Sequence, residues 1–136
     1  MSVPAWFARS VYRAQEAAMH RPTFAMFAGI ERTQWLSRDG IEAYQTQGLN
    51  RLLQTALQHS PWHADRIRTA GLESAVRDGA ATLSDLASLP TMTRRDAREN
   101  VERLVWRGVP GGVFKYTTGG SSGEPLIFYF GRERQA

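Results

Sequence analysis

The spacing of apolar residues changes character once along this chain. Up to about residue 110 it follows a helical period, and from 111 onward it reads as strands. Residues 3–18 predict a helix: Pro4 suits a first turn, and Phe7, Val11, Ala14 and Ala18 share one face, with Arg9, Arg13 and Glu16 elsewhere. Trp6 and Phe7 beside arginines raise a membrane-surface helix. The stripe is mostly alanine, however, which favours a helix docked on protein. Arg21-Pro22 interrupts the pattern, and a short apolar patch follows at Phe24, Met26, Phe27 and Ile30.

The clearest helix spans about 38–58. Leu49, Leu52, Leu53, Ala56 and Leu57 hold the pattern, and Ile41 and Tyr44 extend it backward. Ser60-Pro61 stops it. Ser60 is then placed to cap a next helix ending near Ala70, with Gly71 just beyond. Two capping signatures follow. Thr82-x-x-Asp85 precedes Leu86 and Leu89, and Thr93-x-x-Asp96 opens a charged helix to about Arg103. Asp85 and Asp96 thereby have structural work, satisfying helix amides, rather than a catalytic role.

Strands come last, at 113–117 and 126–130, around the loop Thr118-Gly119-Gly120-Ser121-Ser122-Gly123-Glu124-Pro125. The second strand is apolar on both faces, which suits a buried position, yet the sequence offers it one partner. A lone hairpin is marginal in water. The expectation is a partial α/β fold. A helix-rich region at 1–110 leads into a strand–loop–strand unit at 111–136, the front part of something longer.

Composition limits the core. Leu, Ile, Val and Phe number 28 of 136 residues, and alanine supplies 17 more, so a core is allowed but thin. There is no cysteine, which removes disulfides, thiol nucleophiles and thiolate metal sites. No apolar run reaches the ~18–20 residues of a membrane span, and no secretory core region opens the chain, so an intracellular, cytoplasmic protein is expected. Net charge is +4, with 16 of the 17 basic residues arginine. Lys115 is the single lysine.

The Gly/Ser/Thr loop is the main candidate for chemistry. Its glycines let backbone approach a ligand, its amides can form an anion nest, and hydroxyls of Thr117, Thr118, Ser121 and Ser122 add donors. With Lys115 just upstream, these groups suit a phosphate chain. The segment is neither a Walker loop nor a dinucleotide fingerprint. By composition alone it reads equally well as an ordinary hairpin loop. His59 and His63 stand four apart, but Pro61 between them breaks a shared helix, which speaks against a metal pair. The stretch 94–107 interleaves five arginines with Asp96, Glu99 and Glu102, which suits a solvated face better than a nucleic-acid surface. Trp6, Trp35, Trp62 and Trp106 are expected to pack the interior.

The loop resembles the phosphate-binding signature of adenylate-forming enzymes, Thr-Ser/Gly-Gly-Ser/Thr-Ser/Thr-Gly-x-Pro. Upstream, Leu52-Leu53-x-x-Ala56-x-x-His59-Ser60-Pro61-Trp62 and Ala70-Gly71-Leu72 resemble the N-terminal region of phenylacetate–CoA ligase-like proteins. So do Asp85-Leu86-x-x-Leu89-Pro90 and Thr93-Arg94-Arg95-Asp96-x-Arg98-Glu99-Asn100. The Gly119-Gly120 variant and Glu-Arg-Thr-Gln-Trp-Leu at 31–36 are most similar to the capsule/exopolysaccharide-biosynthesis branch of that AMP-dependent ligase superfamily. The resemblance covers roughly 20–136.

It implies ATP-dependent activation of a carboxylic acid as an acyl-adenylate, with Mg2+ on the phosphates and a thiol such as coenzyme A as acceptor. Thr117, Thr118, Gly119, Gly120, Ser121, Ser122, Gly123, Glu124 and Pro125 would form the nucleotide site, with Ser121 and Ser122 bonding phosphate oxygens and Pro125 stiffening the loop exit. Position 119 is Gly where many relatives carry Ser, and Leu126 stands where other branches have a basic residue. The family's acid pocket, its metal-binding acid and its lid lysine lie beyond this region. No catalytic residue is therefore assigned, and the chain alone is expected not to catalyse adenylation. The alternative is a non-catalytic helical module whose basic helix binds a protein or an anionic partner.

Overall fold

Three leucines on one face of a long helix organise the core. A computed structural model describes residues 4–118 and 125–132. Its helices are α1 (Ala5–Ala18), α2 (Thr23–Thr33), α3 (Arg38–His59), α4 (Pro61–Thr69), α5 (Glu73–Arg77), α6 (Arg94–Glu99) and α7 (Val101–Leu104). A 3-10 turn at Ser84–Ser88 lies between α5 and α6. Strands β1 (Val113–Thr117) and β2 (Ile127–Gly131) follow. The described chain is thus mostly helical with one two-stranded antiparallel sheet.

Helix α3 starts where the Ser37 hydroxyl accepts the Gly40 N–H at 3.1 Å, and it stops because Ser60 precedes a proline. Leu49, Leu53 and Leu57 are buried against Ala64 and Ile67 of α4 and Val76 of α5, with Ala81 closing the cluster. The stripe is narrower than expected. Leu52 lies on its flank and stays 65% exposed, and Ile41 and Tyr44 are also exposed. Gly71 ends α4 with φ 71°, a conformation costly for residues with a Cβ, and its N–H bonds the Arg68 carbonyl at 2.9 Å.

Asn50 sits within the leucine face and is buried. Its Oδ1 accepts from the Ala81 N–H at 3.0 Å, while its Nδ2 donates to the Ala81 carbonyl at 2.7 Å and the Thr46 carbonyl at 3.0 Å. One side chain therefore satisfies both backbone groups of Ala81 where water does not reach.

Several local expectations change. The patch at Phe24–Ile30 belongs to the helix α2. Ser60 is the N-terminal flank of α4 but does not cap it; its hydroxyl donates instead to the Arg103 carbonyl at 3.2 Å, tying α4 to α7. Thr82 and Asp85 do exchange backbone hydrogen bonds, but around the 3-10 turn. The Thr93–Asp96 capping box is complete, with the Thr93 hydroxyl accepting the Asp96 N–H at 3.1 Å and Asp96 accepting the Thr93 N–H at 2.8 Å. Its helix breaks early, at Asn100, whose Nδ2 folds back onto the Asp96 carbonyl at 3.0 Å.

The tryptophans divide. Trp6 and Trp35 are 71% and 83% exposed, against expectation, whereas Trp62 and Trp106 are half-buried. Trp106 stacks flat on His59, with ring centres 3.8 Å apart. Together with the Arg103–Asp65 ion pair at 2.5 Å, this stack docks α7 and the segment after it onto α3–α4.

The N-terminal helix departs furthest. Every residue of α1 is exposed except Glu16, so the one side chain this helix buries is a carboxylate from outside its apolar stripe. Glu16 accepts from the Thr23 hydroxyl and pairs with Arg21 at 3.3 Å, clamping the α1–α2 turn, where His20 takes φ 54°.

Candidate functional site

The candidate loop is carried by the hairpin. β1 and β2 pair antiparallel with Val113 opposite Gly131, Lys115 opposite Tyr129 and Thr117 opposite Ile127. Strand alternation puts Phe114 and Tyr116 on one face with Phe128 and Phe130. The Tyr116 and Phe130 rings approach to 4.5 Å between centres. Lys115 and Thr117 fall on the other face with Tyr129 and Ile127. Gly111 lets the chain turn into β1 at φ 83°; a Cβ there would come 3.2 Å from that of Arg132, beside the end of β2.

The loop base is closed by Thr118 and Leu126. The Thr118 N–H donates to the Leu126 carbonyl at 3.0 Å, and the Leu126 N–H donates to the Thr118 hydroxyl oxygen at 2.9 Å. The pairing of the strands is thus extended one step by a side chain. The Thr118 hydroxyl is an acceptor in this closure and keeps its proton for another partner. Thr117 and Pro125 are exposed on either side of it. Residues 119–124, with Gly119, Gly120, Ser121, Ser122, Gly123 and Glu124, lie outside the described residues.

Two cations flank Tyr129. Lys115 is its cross-strand neighbour, and the Arg107 guanidinium lies 5.3 Å from its ring centre. Arg107 is also held in a fork by Glu102 at 2.5 and 2.7 Å, which pushes its pKa further up, with Tyr129 adding to the shift. Within the stretch 94–107, Arg95 pairs with Glu99 at 2.7 Å and Arg103 with Asp65 at 2.5 Å. Much of its positive charge is therefore matched by carboxylates.

Between the hairpin and the helices lies an apolar cavity of about 450 Å3, lined by Val101, Leu104 and Trp106 on one side and by Leu126, Phe128 and Phe130 on the other. His63 borders it. Arg66 donates to His63 Nδ1 at 3.1 Å, bonds the Pro90 carbonyl and lies 4.8 Å from the Trp62 ring centre. A guanidinium only donates, so Nδ1 is the acceptor and the imidazole is neutral, with its proton on Nε2. Burial, and then the adjacent Arg66 charge, lower the His63 pKa accordingly. His59 and His63 are thus occupied separately, one in stacking and one with arginine. Sequence reasoning did not find the cavity, because its two walls lie far apart along the chain.

Among the described residues no three His, Asp or Glu side chains converge on a point that could hold a metal. Among the described residues, no helix is long and apolar enough to cross a membrane. In comparison with known proteins, the chain matches no protein-family model and no curated protein significantly.

Proposed function

We propose that this chain is the phosphate-loop portion of a phenylacetate–CoA ligase-like adenylate-forming enzyme. The hairpin is read as the first of the adenylation domain, and the loop at 118–125 would take the β- and γ-phosphates of ATP. The observation that carries this reading is the closure at Thr118 and Leu126, which presents a segment with three glycines and two serines from a paired, register-fixed base. A base held at both ends favours concerted use of the loop amides on an anion. Lys115 adds a cation three residues before the base. Pro125 limits the conformations available at the exit.

Activation of a carboxylate would also require an acid pocket, a metal-binding acid and a lid lysine, which the family resemblance places outside the matched region. Lys115 is fixed in β1 opposite Tyr129, so the lysine of a mobile lid cannot be this one. Mg2+ would neutralise the phosphates, and a carboxylic acid and coenzyme A would be the other substrates of the complete cytoplasmic enzyme. The alternative, a basic helix binding an anionic partner, is weakened by the carboxylates already paired with Arg95, Arg103 and Arg107.

Phosphorus NMR of Mg-ATP tests the reading. Adding the chain is expected to broaden the β and γ resonances more than the α. Equal broadening of all three, or none, contradicts it. ATP–pyrophosphate exchange is expected to be silent. Exchange that is lost on Ser121→Ala or Ser122→Ala would show that the catalytic set is present after all.

A further inference from the structure

The cavity between the hairpin and the helices has the size and chemistry of a small-molecule site. Its volume of about 450 Å3 falls within the ~300–1,000 Å3 common for such sites, and it is partly open, so a ligand has a way in. An α-helix is about 10 Å across, so the space holds roughly one turn, too little to seat a helix of another chain. None of the described residues that line it is an aspartate, glutamate, lysine or arginine. Trp106, Phe128 and Phe130 offer it aromatic rings from both walls.

Among these lining residues, only His63, Trp106 and Tyr129 carry a nitrogen or oxygen in the side chain. Trp106 lies flat on His59, and Tyr129 is engaged by Arg107. His63 is committed at one nitrogen alone. Its Nδ1 accepts from Arg66 at 3.1 Å, which leaves the proton on Nε2, and Nε2 makes no hydrogen bond among the described residues. A half-buried N–H beside apolar walls gains from an acceptor that a ligand brings. An ionised ligand would give up water here without meeting a counter-charge in the lining.

We propose that this cavity binds a small neutral aromatic molecule with one hydrogen-bond acceptor, such as an aryl ketone, and that His63 Nε2 donates to that acceptor. The ligand ring packs among Leu104, Trp106, Phe128 and Phe130, where aromatic neighbours add edge and face contacts to the burial of apolar surface. This inference is independent of the nucleotide reading and stands or falls without it.

NMR titration of the full chain with acetophenone in neutral buffer is the test. Ethylbenzene, which keeps the ring and lacks the acceptor, and benzoate, which adds a charge, are the comparison ligands. Acetophenone is expected to shift the ring signals of His63 and Trp106 saturably. Benzoate should bind about tenfold or more weakly than acetophenone. His63→Phe should weaken acetophenone about fivefold more than it weakens ethylbenzene, a ratio that cancels any general effect of the substitution on the cavity. Val101→Phe, which places a ring in the space, should abolish binding of both. No saturable shift with acetophenone, benzoate binding as tightly, an equal effect of His63→Phe on the two neutral ligands, or binding untouched by Val101→Phe overturns the proposal. Should either variant fail to fold, the acetophenone and benzoate titrations of the parent chain still decide it.

Discussion

Asn50 is the residue on which the core depends most specifically. It is buried among leucines and is the partner of both the N–H and the carbonyl of Ala81, across 31 residues of sequence. Asn50→Leu would add apolar volume but strand two buried backbone groups. It should cost about 2–4 kcal/mol in urea unfolding; a loss under about 0.5 kcal/mol contradicts this role. An asparagine between Leu49 and Leu53 was the visible signal, and reading the stripe by its apolar members alone passes over it. Glu16 escaped in the same way, since a carboxylate off the apolar stripe reads as solvated.

His63 gives the residue scale a pH dependence. Its folded pKa lies below the ordinary value of 6.5, so the unfolded chain takes up the proton first. Stability is therefore full above that value and declines as pH falls through it toward the folded pKa. The expected result is a lower melting temperature at pH 5.5 than at pH 7, with the difference reduced in His63→Gln. A difference unchanged by that substitution contradicts the assignment. Asp85 and Asp96, whose pKa values are lowered mainly by bonds from Thr82 and Thr93, add a second loss below the usual carboxylate range.

At the scale of elements, the punctuation of the sequence was more legible than its faces. Pro61, Gly71 and the Thr93–Asp96 box mark boundaries that the structure keeps. These are local signals, written within four residues of the feature they fix. Thr93→Ala should accordingly cost about 1 kcal/mol through loss of the cap, measured by urea unfolding, whereas an unchanged midpoint would mean that α6 is held by packing alone. The break at Asn100 was less visible. Asparagine competes with the helix through its own side chain, and only the Nδ2 bond to the Asp96 carbonyl shows which one wins.

Helix faces were legible only where tertiary contacts agreed with the period. In α3 the leucines turn inward, but Leu52 misses the interior by its angle around the helix. In α1 periodicity located the stripe correctly while leaving open which side meets protein. That choice was made by Glu16, Arg21 and Thr23, a polar cluster split between two elements. The two strands, by contrast, were readable from alternation and apolar content; β2 begins one residue later than expected, since Leu126 serves in closing the loop base.

The whole molecule divides its work between a helical part with its own core and a hairpin joined to it around an apolar cavity. The segment leading into the hairpin is held by the His59–Trp106 stack, which sequence could not disclose because the partners are 47 residues apart. The motif at 118–125 was legible as a loop between strands, and the structure adds how its base is tied, through Thr118 and Leu126. The proposal that this loop grips phosphates makes a demand on the intact chain. If the loop is what holds the nucleotide, the chain should recognise the triphosphate and ignore the nucleoside.

Calorimetric titration of Mg-ATP into the chain, repeated with inorganic triphosphate or adenosine present, and with Ser121→Ala/Ser122→Ala, reads that demand directly. The predicted result is binding displaced by triphosphate, indifferent to adenosine, and weakened about tenfold or more in the double variant through loss of two hydroxyl bonds to charged oxygens. Absence of binding, displacement by adenosine and not by triphosphate, or a double variant that binds like the parent chain would contradict it.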